Sequence, residues 1–223
     1  MFLVSLSPVI VESVATGARA AGDVTVYSRT NGGSTLTADK IMIYDSNWNH
    51  FGTATSATSL TCQCTPGDSY IIESYVDNMW LDDTTVTAST SGTIYGYLYA
   101  NSQVSLTARA YYSDGSTRFG GANVKLYSWD GTNNQWDYER QGTTNSNGEY
   151  SFSVYPTTKT GEKYKLAVYD GTTQVGTDSN VRLTSSKTET ITTSVSVPSS
   201  VRATVNVVAD TLILLVGNTE VGR

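Results

Sequence analysis

Residues 150–155 read Tyr-Ser-Phe-Ser-Val-Tyr, a run in which apolar and polar side chains alternate. Successive side chains of a β-strand point to opposite faces, so Phe152 and Val154 share one face and the two serines share the other. The run follows Asn145-Ser146-Asn147-Gly148, a cluster of turn-forming residues. This stretch therefore predicts a strand with one buried face, entered through a turn.

The order of strand and turn signals around this run occurs twice, once from Val24 and again from Val104. In each copy an apolar strand leads to a Gly-Ser-Thr turn, a strand ending in an aliphatic-Tyr pair, a short alternating strand and a Tyr-led strand. Alternating runs separated by turn signals about every 8–12 residues are typical of β-sandwiches. The matched positions are Gly33-Ser34-Thr35 and Gly115-Ser116-Thr117, Ile43-Tyr44 and Leu126-Tyr127, Tyr70 and Tyr164, and Val86 and Val181.

The composition fits this pattern, with 15 tyrosines, 19 glycines and 39% hydrophobic residues, enough for a real core. We therefore predict an all-β chain of two tandem Ig-like or transthyretin-like sandwiches. The predicted division places the first sandwich at 21–100 and the second at 101–197. Extended strand segments at 1–20 and 198–223 flank them.

Three segments of the second copy carry a resemblance to a known family: residues 120–131 (GGANVKLYSWDG), 142–156 (GTTNSNGEYSFSVYP) and 161–171 (GEKYKLAVYDG). They resemble the carboxypeptidase-regulatory-like, transthyretin-like and Cna-B-type β-sandwiches, and the first copy is similar. The resemblance implies a fold more than a function.

Some Cna-B-type domains contain an isopeptide bond from a Lys to an Asn or Asp, assisted by a Glu. Glu73 matches that Glu, but Ser28 and Ala110 stand near the two Lys positions and Ala167 replaces the second Glu. We expect no isopeptide bond.

The charge and residue content exclude several classes of function. The net charge is −6 and the 14 Lys and Arg are scattered, so nucleic-acid binding is not expected. No apolar run is long enough to span a membrane. His50 is the single histidine, and Asp82 and Asp83, adjacent on a strand, face opposite ways. We predict no enzyme activity, no catalytic residues and no cofactor.

Two local features, a pair of cysteines and an acidic loop, are each interpreted as structural. Cys62 and Cys64 are expected to be small buried apolar residues, because an intrachain disulfide across one residue would be strained; a metal site or an intermolecular bridge is left open. Asp130, Asn133 and Asp137 lie in one loop and form a minor calcium hypothesis, although the loop lacks EF-hand spacing. No metal site is predicted.

The N-terminal and C-terminal segments indicate a function. The N-terminal segment alternates with Phe2, Val4, Leu6 and Ile10 on one face, Val9 on the other, and Pro8 interrupting the register. Left in solvent, such a ribbon would be adhesive, so it requires a groove, and a groove on a neighbouring copy would give strand complementation. Leu212 to Val216 is apolar on both faces. The predicted subunit-interface residues are Phe2, Val4, Leu6, Val9, Ile10, Leu212, Leu214 and Val216.

These features predict a structural subunit of an extracellular, self-assembling, pilus-like surface filament, whose partners are other copies of itself. Ala18-Arg19-Ala20 resembles a signal-peptidase site, but no Lys or Arg precedes the apolar run. The alternative is a secreted adhesin or carbohydrate-binding module that uses exposed tryptophans and tyrosines. Two or three solvent-facing rings in one plane would favour that alternative; otherwise these rings pack within the sandwiches.

Overall fold

A computed structural model describes residues 22–198 and the backbone of three strands at 204–208, 211–216 and 219–222. All regular secondary structure in these residues is β-strand, arranged in five sheets. The predicted all-β fold with two sandwich domains is confirmed.

The first sandwich contains seven strands in two sheets. One sheet has the order β4-β1-β7 and the other has the order β3-β2-β5-β6. Strand β1 is central in its sheet, antiparallel to β4 and parallel to β7. The strands are β1 (Asp23–Arg29), β2 (Ala38–Asp45), β3 (His50–Ala57), β4 (Ser59–Gln63), β5 (Ser69–Val76), β6 (Met79–Thr87) and β7 (Ile94–Tyr99).

The second sandwich repeats this topology, with sheets β11-β8-β14 and β10-β9-β12-β13. Its first strand is again antiparallel to the fourth and parallel to the seventh. The internal repeat seen in the sequence is therefore a repeat of one seven-stranded unit. The strands are β8 (Val104–Tyr111), β9 (Asn123–Asp130), β10 (Gln135–Thr143), β11 (Glu149–Val154), β12 (Tyr164–Asp170), β13 (Thr173–Val181) and β14 (Lys187–Thr192).

Side-chain alternation places the core between the two sheets of each sandwich. In β11, Phe152 and Val154 are buried, whereas Ser151 and Ser153 are exposed, as the sequence predicts. The first core gathers aliphatic residues such as Val26, Ile43 and Ile72. The second core is larger and includes the fully buried Tyr164, whose hydroxyl donates to the Tyr155 carbonyl at 2.9 Å.

The C-terminal region differs from the single strand that we predicted. Three strands, β15 (Thr204–Val208), β16 (Thr211–Val216) and β17 (Thr219–Gly222), pair antiparallel with one another. The missed turn signals are the dipeptides Ala-Asp at 209–210 and Gly-Asn at 217–218. Gly217-Asn218 is a typical two-residue hairpin connection.

Cys64 is buried in the first core and Cys62 packs against it, as expected. The expectation that they form no intrachain disulfide is wrong, because the two are bonded, with Cα atoms 5.8 Å apart. Strand β4 ends at Gln63, so Cys64 lies beyond the regular strand on which the expectation depended. The Cys64 amide donates to the Gly22 carbonyl at 3.0 Å. Gly22 has a φ of +100°, and a Cβ there would lie 2.1 Å from the Cys64 oxygen.

Candidate functional site

The junction between the two sandwiches has an apolar layer that belongs to both. Met79 and Leu81 lie on β6 of the first sandwich but join the hydrophobic core of the second, with 0% and 2% of their surface exposed. Val76 packs against both cores. Four residues separate β7 from β8. The two units are therefore packed together as well as joined in sequence.

A buried carboxylate forms the centre of a polar layer beside this core. Glu73, on β5, is 4% exposed and forms an ion pair with Lys159 of the second sandwich. The Tyr75 hydroxyl donates to the other Glu73 oxygen at 2.7 Å. Burial, and then the adjoining Glu73, raise the pKa of Tyr75. The Lys159 ammonium also lies 4.6 Å from the centre of the Trp80 ring, so it contacts two first-sandwich residues.

A second carboxylate ties a loop of the second sandwich to β6. Glu162 accepts hydrogen bonds from the backbone amides of Trp80 at 2.6 Å, Thr158 at 2.6 Å and Lys159 at 2.8 Å. Both oxygens of the Glu162 carboxylate therefore accept hydrogen bonds from backbone amides, one in the first sandwich and two in the second. Hydrogen bonds to a charged group of this kind are stronger than neutral ones.

A third contact forms where the turn between β5 and β6 meets β10. Arg140 donates to Asp77 at 2.9 Å, and the Asn78 amide donates to Ser128 Oγ at 2.8 Å and to Asp137 at 2.9 Å. Asp77 and Asn78 both have positive φ, of 50° and 55°. That turn projects the two side chains toward the second sandwich.

An acidic group lies inside this contact. Strand β10 has a bulge between Tyr138 and Arg140, and the bulged Glu139 accepts from Ser128 Oγ at 2.5 Å. Burial, together with the neighbouring Asp77, raises the pKa of Glu139 to about 7 in spite of the lowering effect of the Ser128 hydroxyl. The junction therefore holds a carboxyl group that titrates near neutral pH.

A cleft of about 300 Å³ opens beside the junction. Its floor and walls come from both sandwiches, and its charged groups already have partners. Lys40 lies 3.6 Å from Asp130, which also accepts from the Thr132 amide at 2.8 Å. The lining residues are Lys40, Met42, Tyr44, Tyr75, Asn78, Trp129, Asp130, Gly131, Thr132, Lys159, Thr160, Gly161 and Glu162.

The loop of the calcium hypothesis forms a turn. The Asn133 side-chain amide donates to Asp130 at 2.7 Å, so its nitrogen, rather than its oxygen, faces the carboxylate. Asp137 accepts from Asn78 and Gln135 instead of facing Asp130. Within the residues that the structure describes, no group of three or more potential metal ligands occurs.

Exposed tyrosines line one strand of the first sandwich. Tyr95, Tyr97 and Tyr99 alternate along β7, with exposed fractions of 53%, 45% and 50%. Tyr27 on β1 lies beside them, its ring plane 22° from those of Tyr95 and Tyr97. In contrast, Lys163 lies over the half-buried Trp129 and Trp136 rings.

Comparison with solved structures finds pilins with a similar fold. The shaft pilin SpaA from Lactobacillus rhamnosus GG is 12% identical, with a TM-score of 0.34, covering 78% of this chain and 98% of that one. The minor pilin from Streptococcus agalactiae is 14% identical, with a TM-score of 0.39, covering 79% and 97%. A streptococcal ancillary pilin is 11% identical, with a TM-score of 0.38, covering 77% and 62%.

No family model matches the chain, and no curated protein matches it. The resemblance to Cna-B-type and related domains therefore stays one of strand and turn order. Similarity at the level of these pilins assigns neither a ligand nor a mode of assembly.

The predicted interface residues are not brought together by the described part of the chain. Phe2, Val4, Leu6, Val9 and Ile10 lie outside the described residues, and Leu212, Leu214 and Val216 belong to β16, of which only the backbone is described. The predicted subunit interface stays a prediction. No helical segment within the described ranges could cross a bilayer.

His50 and Asp82, which the sequence offered as possible catalytic groups, have separate hydrogen-bond partners. His50 is exposed and its Nε2 is 2.7 Å from Thr53 Oγ1, while Asp82 accepts from the Tyr99 amide at 2.8 Å. The junction, which sequence reasoning missed, had one readable signal. Asp77-Asn78 is a turn between alternating strands, and the apolar Met79 and Leu81 follow it on one face.

Proposed function

We propose that this chain is a structural subunit of an extracellular filament, in which the N-terminal segment of one copy adds a strand to a neighbouring copy. The observation that carries the proposal is that, within residues 22–198, each sandwich forms both of its sheets from seven strands of its own. We therefore assign the segment at 1–20 to a neighbouring copy. Its apolar residues require a partner surface elsewhere.

The C-terminal sheet is the acceptor that best fits this segment. Strand β16 lies between β15 and β17, and its sequence, TLILLV, has aliphatic residues at both alternating sets of positions. A three-stranded sheet with apolar positions on both faces needs further cover to be stable. Strand addition to its edge would supply main-chain hydrogen bonds as well as apolar contact.

The energy available is adequate for stable assembly. Burial of one aliphatic or aromatic side chain contributes about 1.5–3 kcal/mol. The five predicted N-terminal contacts would together contribute on the order of ten kcal/mol before the costs of ordering and association.

Two further features support a structural subunit outside the cell. The shared core and ion pairs at the junction fix the two sandwiches as one rigid unit, which suits a repeating element. The Cys62–Cys64 disulfide suits an oxidising compartment, where such bonds persist.

Two variants of the N-terminal segment test the proposal. In Val4→Asp/Leu6→Asp the charges fall on the predicted contact face, whereas in the matched control Ser5→Asp/Ser7→Asp they fall on the opposite face. We expect the first variant to remain a folded monomer by sedimentation and circular dichroism, and the control to form filaments visible by negative-stain microscopy.

Deletion of residues 1–15 provides the direct test of the donor segment. The truncated chain should fold but not polymerise, and a synthetic peptide of residues 1–15 should bind it and raise its melting temperature. Filaments formed by the truncated chain would refute strand donation by this segment.

A further inference from the structure

The outer face of the sheet β4-β1-β7 carries a row of exposed aromatic rings. On β7 the inward positions are Gly96 and Leu98, and Leu98 is fully buried. A Cβ on Gly96 would lie 3.1 Å from side-chain carbons of Val26 and Val86, so this side of the strand is packed tightly. The alternating tyrosines therefore point outward.

The second sandwich supplies an internal comparison. Strand β14 occupies the place of β7, and its outward positions are Thr188, Thr190 and Thr192, all exposed. The same seven-stranded unit thus forms with threonines where the first sandwich has tyrosines. The topology therefore does not depend on tyrosine at these positions, and about half of each β7 tyrosine is open to contact from outside the sandwich.

The rings form one ordered surface. Tyr27 lies 6.3 Å from Tyr95 and 5.7 Å from Tyr97, and Tyr97 lies 6.4 Å from Tyr99, with interplanar angles of 22°, 22° and 35°. The Arg29 guanidinium lies 5.3 Å from the Tyr27 ring centre and donates to Thr35 Oγ1 at 2.7 Å, which restrains the row from one side. Such prior order lowers the entropic cost of binding.

The neighbouring groups are polar and carry little charge. Strand β4 places Ser59 and the exposed Thr61 beside Tyr27 and Thr25 of β1. Thr25 is buried, and its hydroxyl lies 3.0 Å from that of Thr61. The surface combines aromatic rings, hydroxyl groups, the Arg29 guanidinium and the Asp82 carboxylate beside the Tyr99 amide, with no aliphatic side chain in the row. An apolar protein partner would find no aliphatic core to contact here.

We propose that this tyrosine row, Tyr27, Tyr95, Tyr97 and Tyr99, binds a neutral linear polysaccharide whose sugar rings pack along β7. Pyranose rings present C–H groups on their faces and hydroxyl groups around their edges, which match the aromatic rings and the accessible hydroxyls of Ser59 and Thr61. The row from Tyr95 to Tyr99 spans about 13 Å at the rise of an extended strand, enough for several consecutive sugars. The net charge of −6 disfavours a polyanionic glycan.

The test uses the full chain immobilised on a biosensor surface, so that assembly in solution does not interfere. The probes are cellohexaose, xylohexaose and chitohexaose as neutral glycans, with hexagalacturonate as the acidic comparison. We expect saturable binding of at least one neutral probe and weaker binding of the acidic one. Tyr95→Ser/Tyr99→Ser should weaken it at least about tenfold, since each ring contributes a separate contact.

The matched control is Tyr138→Ser, which removes a tyrosine of equal exposure (53%) from β10 of the second sandwich and should leave binding unchanged. Absence of binding to every neutral probe, or tighter binding of hexagalacturonate, would overturn the proposal. So would binding that the double variant leaves intact. If instead the double variant abolishes self-association in sedimentation, the row is a contact between copies and the glycan proposal fails.

Discussion

Replacement of Met79 by alanine tests whether the two sandwiches share a core. Met79 belongs to the first sandwich by sequence, but it is fully buried in the hydrophobic cluster of the second. A buried Met→Ala change costs about 2–5 kcal/mol, from lost transfer free energy and from the cavity that remains. For a domain whose free energy of unfolding is about 5–15 kcal/mol, that is a large fraction.

Hydrogen exchange read by mass spectrometry separates the effect on each sandwich, because slow amides report the free energy of local opening. We expect Met79→Ala to lower the protection of amides in β9 and β12 of the second sandwich as well as those in β5. The control Met42→Ala, at a partly buried position on the wall of the cleft, should cost less.

Unchanged protection in β9 and β12 would refute the shared core. It would mean that Met79 contributes only to its own sandwich and that the junction depends on its ion pairs. Equal costs for Met79→Ala and Met42→Ala would lead to the same conclusion.

Three further predictions concern pH, the disulfide and one turn. The folded-state pKa of Glu139 is raised from 4.5 to about 7, so between these pH values the folded chain binds more protons than the unfolded chain. The free energy of unfolding should therefore fall as pH rises from 4.5 to 7. In urea titrations, the free energy of unfolding of Glu139→Gln should depend less on pH. Thiol titration of the denatured chain should find no free cysteine before reduction and two after it. In urea unfolding, Cys62→Ser/Cys64→Ser should lower the free energy of unfolding by no more than about 2 kcal/mol, because the disulfide closes a short loop. Gly148→Ala should destabilise by about 1–3 kcal/mol in thermal melts, because the residue has a φ of +70° and its Cβ would meet the Ala110 oxygen at 2.5 Å; Gly121→Ala, also at positive φ but in open space, should cost less.

Local patterns predicted much of the fold. The alternation around Phe152 and the repeated turns fixed strand faces correctly, because strand geometry is set by neighbours in sequence. The disulfide was missed because its formation depends on where β4 ends, which a sequence pattern locates only to within a few residues. The three C-terminal strands were missed because the two dipeptides that flank the apolar run, at 209–210 and 217–218, were not recognised as turns.

The junction was harder to predict than the strands. Glu73 was noticed as a family position, but its partner Lys159 is 86 residues away, and nothing local links the two. The tyrosine row was visible as Tyr95, Tyr97 and Tyr99 in sequence. Its exposure became evident only when Gly96 and Leu98 were found packed on the inner side.

The parallel pairing of the first and last strands in each sandwich has a mechanical consequence. The chain enters β1 at one end of the sheet and leaves β7 at the opposite end, and the register runs from Val24↔Ile94 to Arg29↔Tyr99. A pulling force applied along the chain would load these hydrogen bonds together in shear, instead of peeling them apart one at a time. Strands β8 and β14 repeat the arrangement, so both sandwiches in series are built to resist tension.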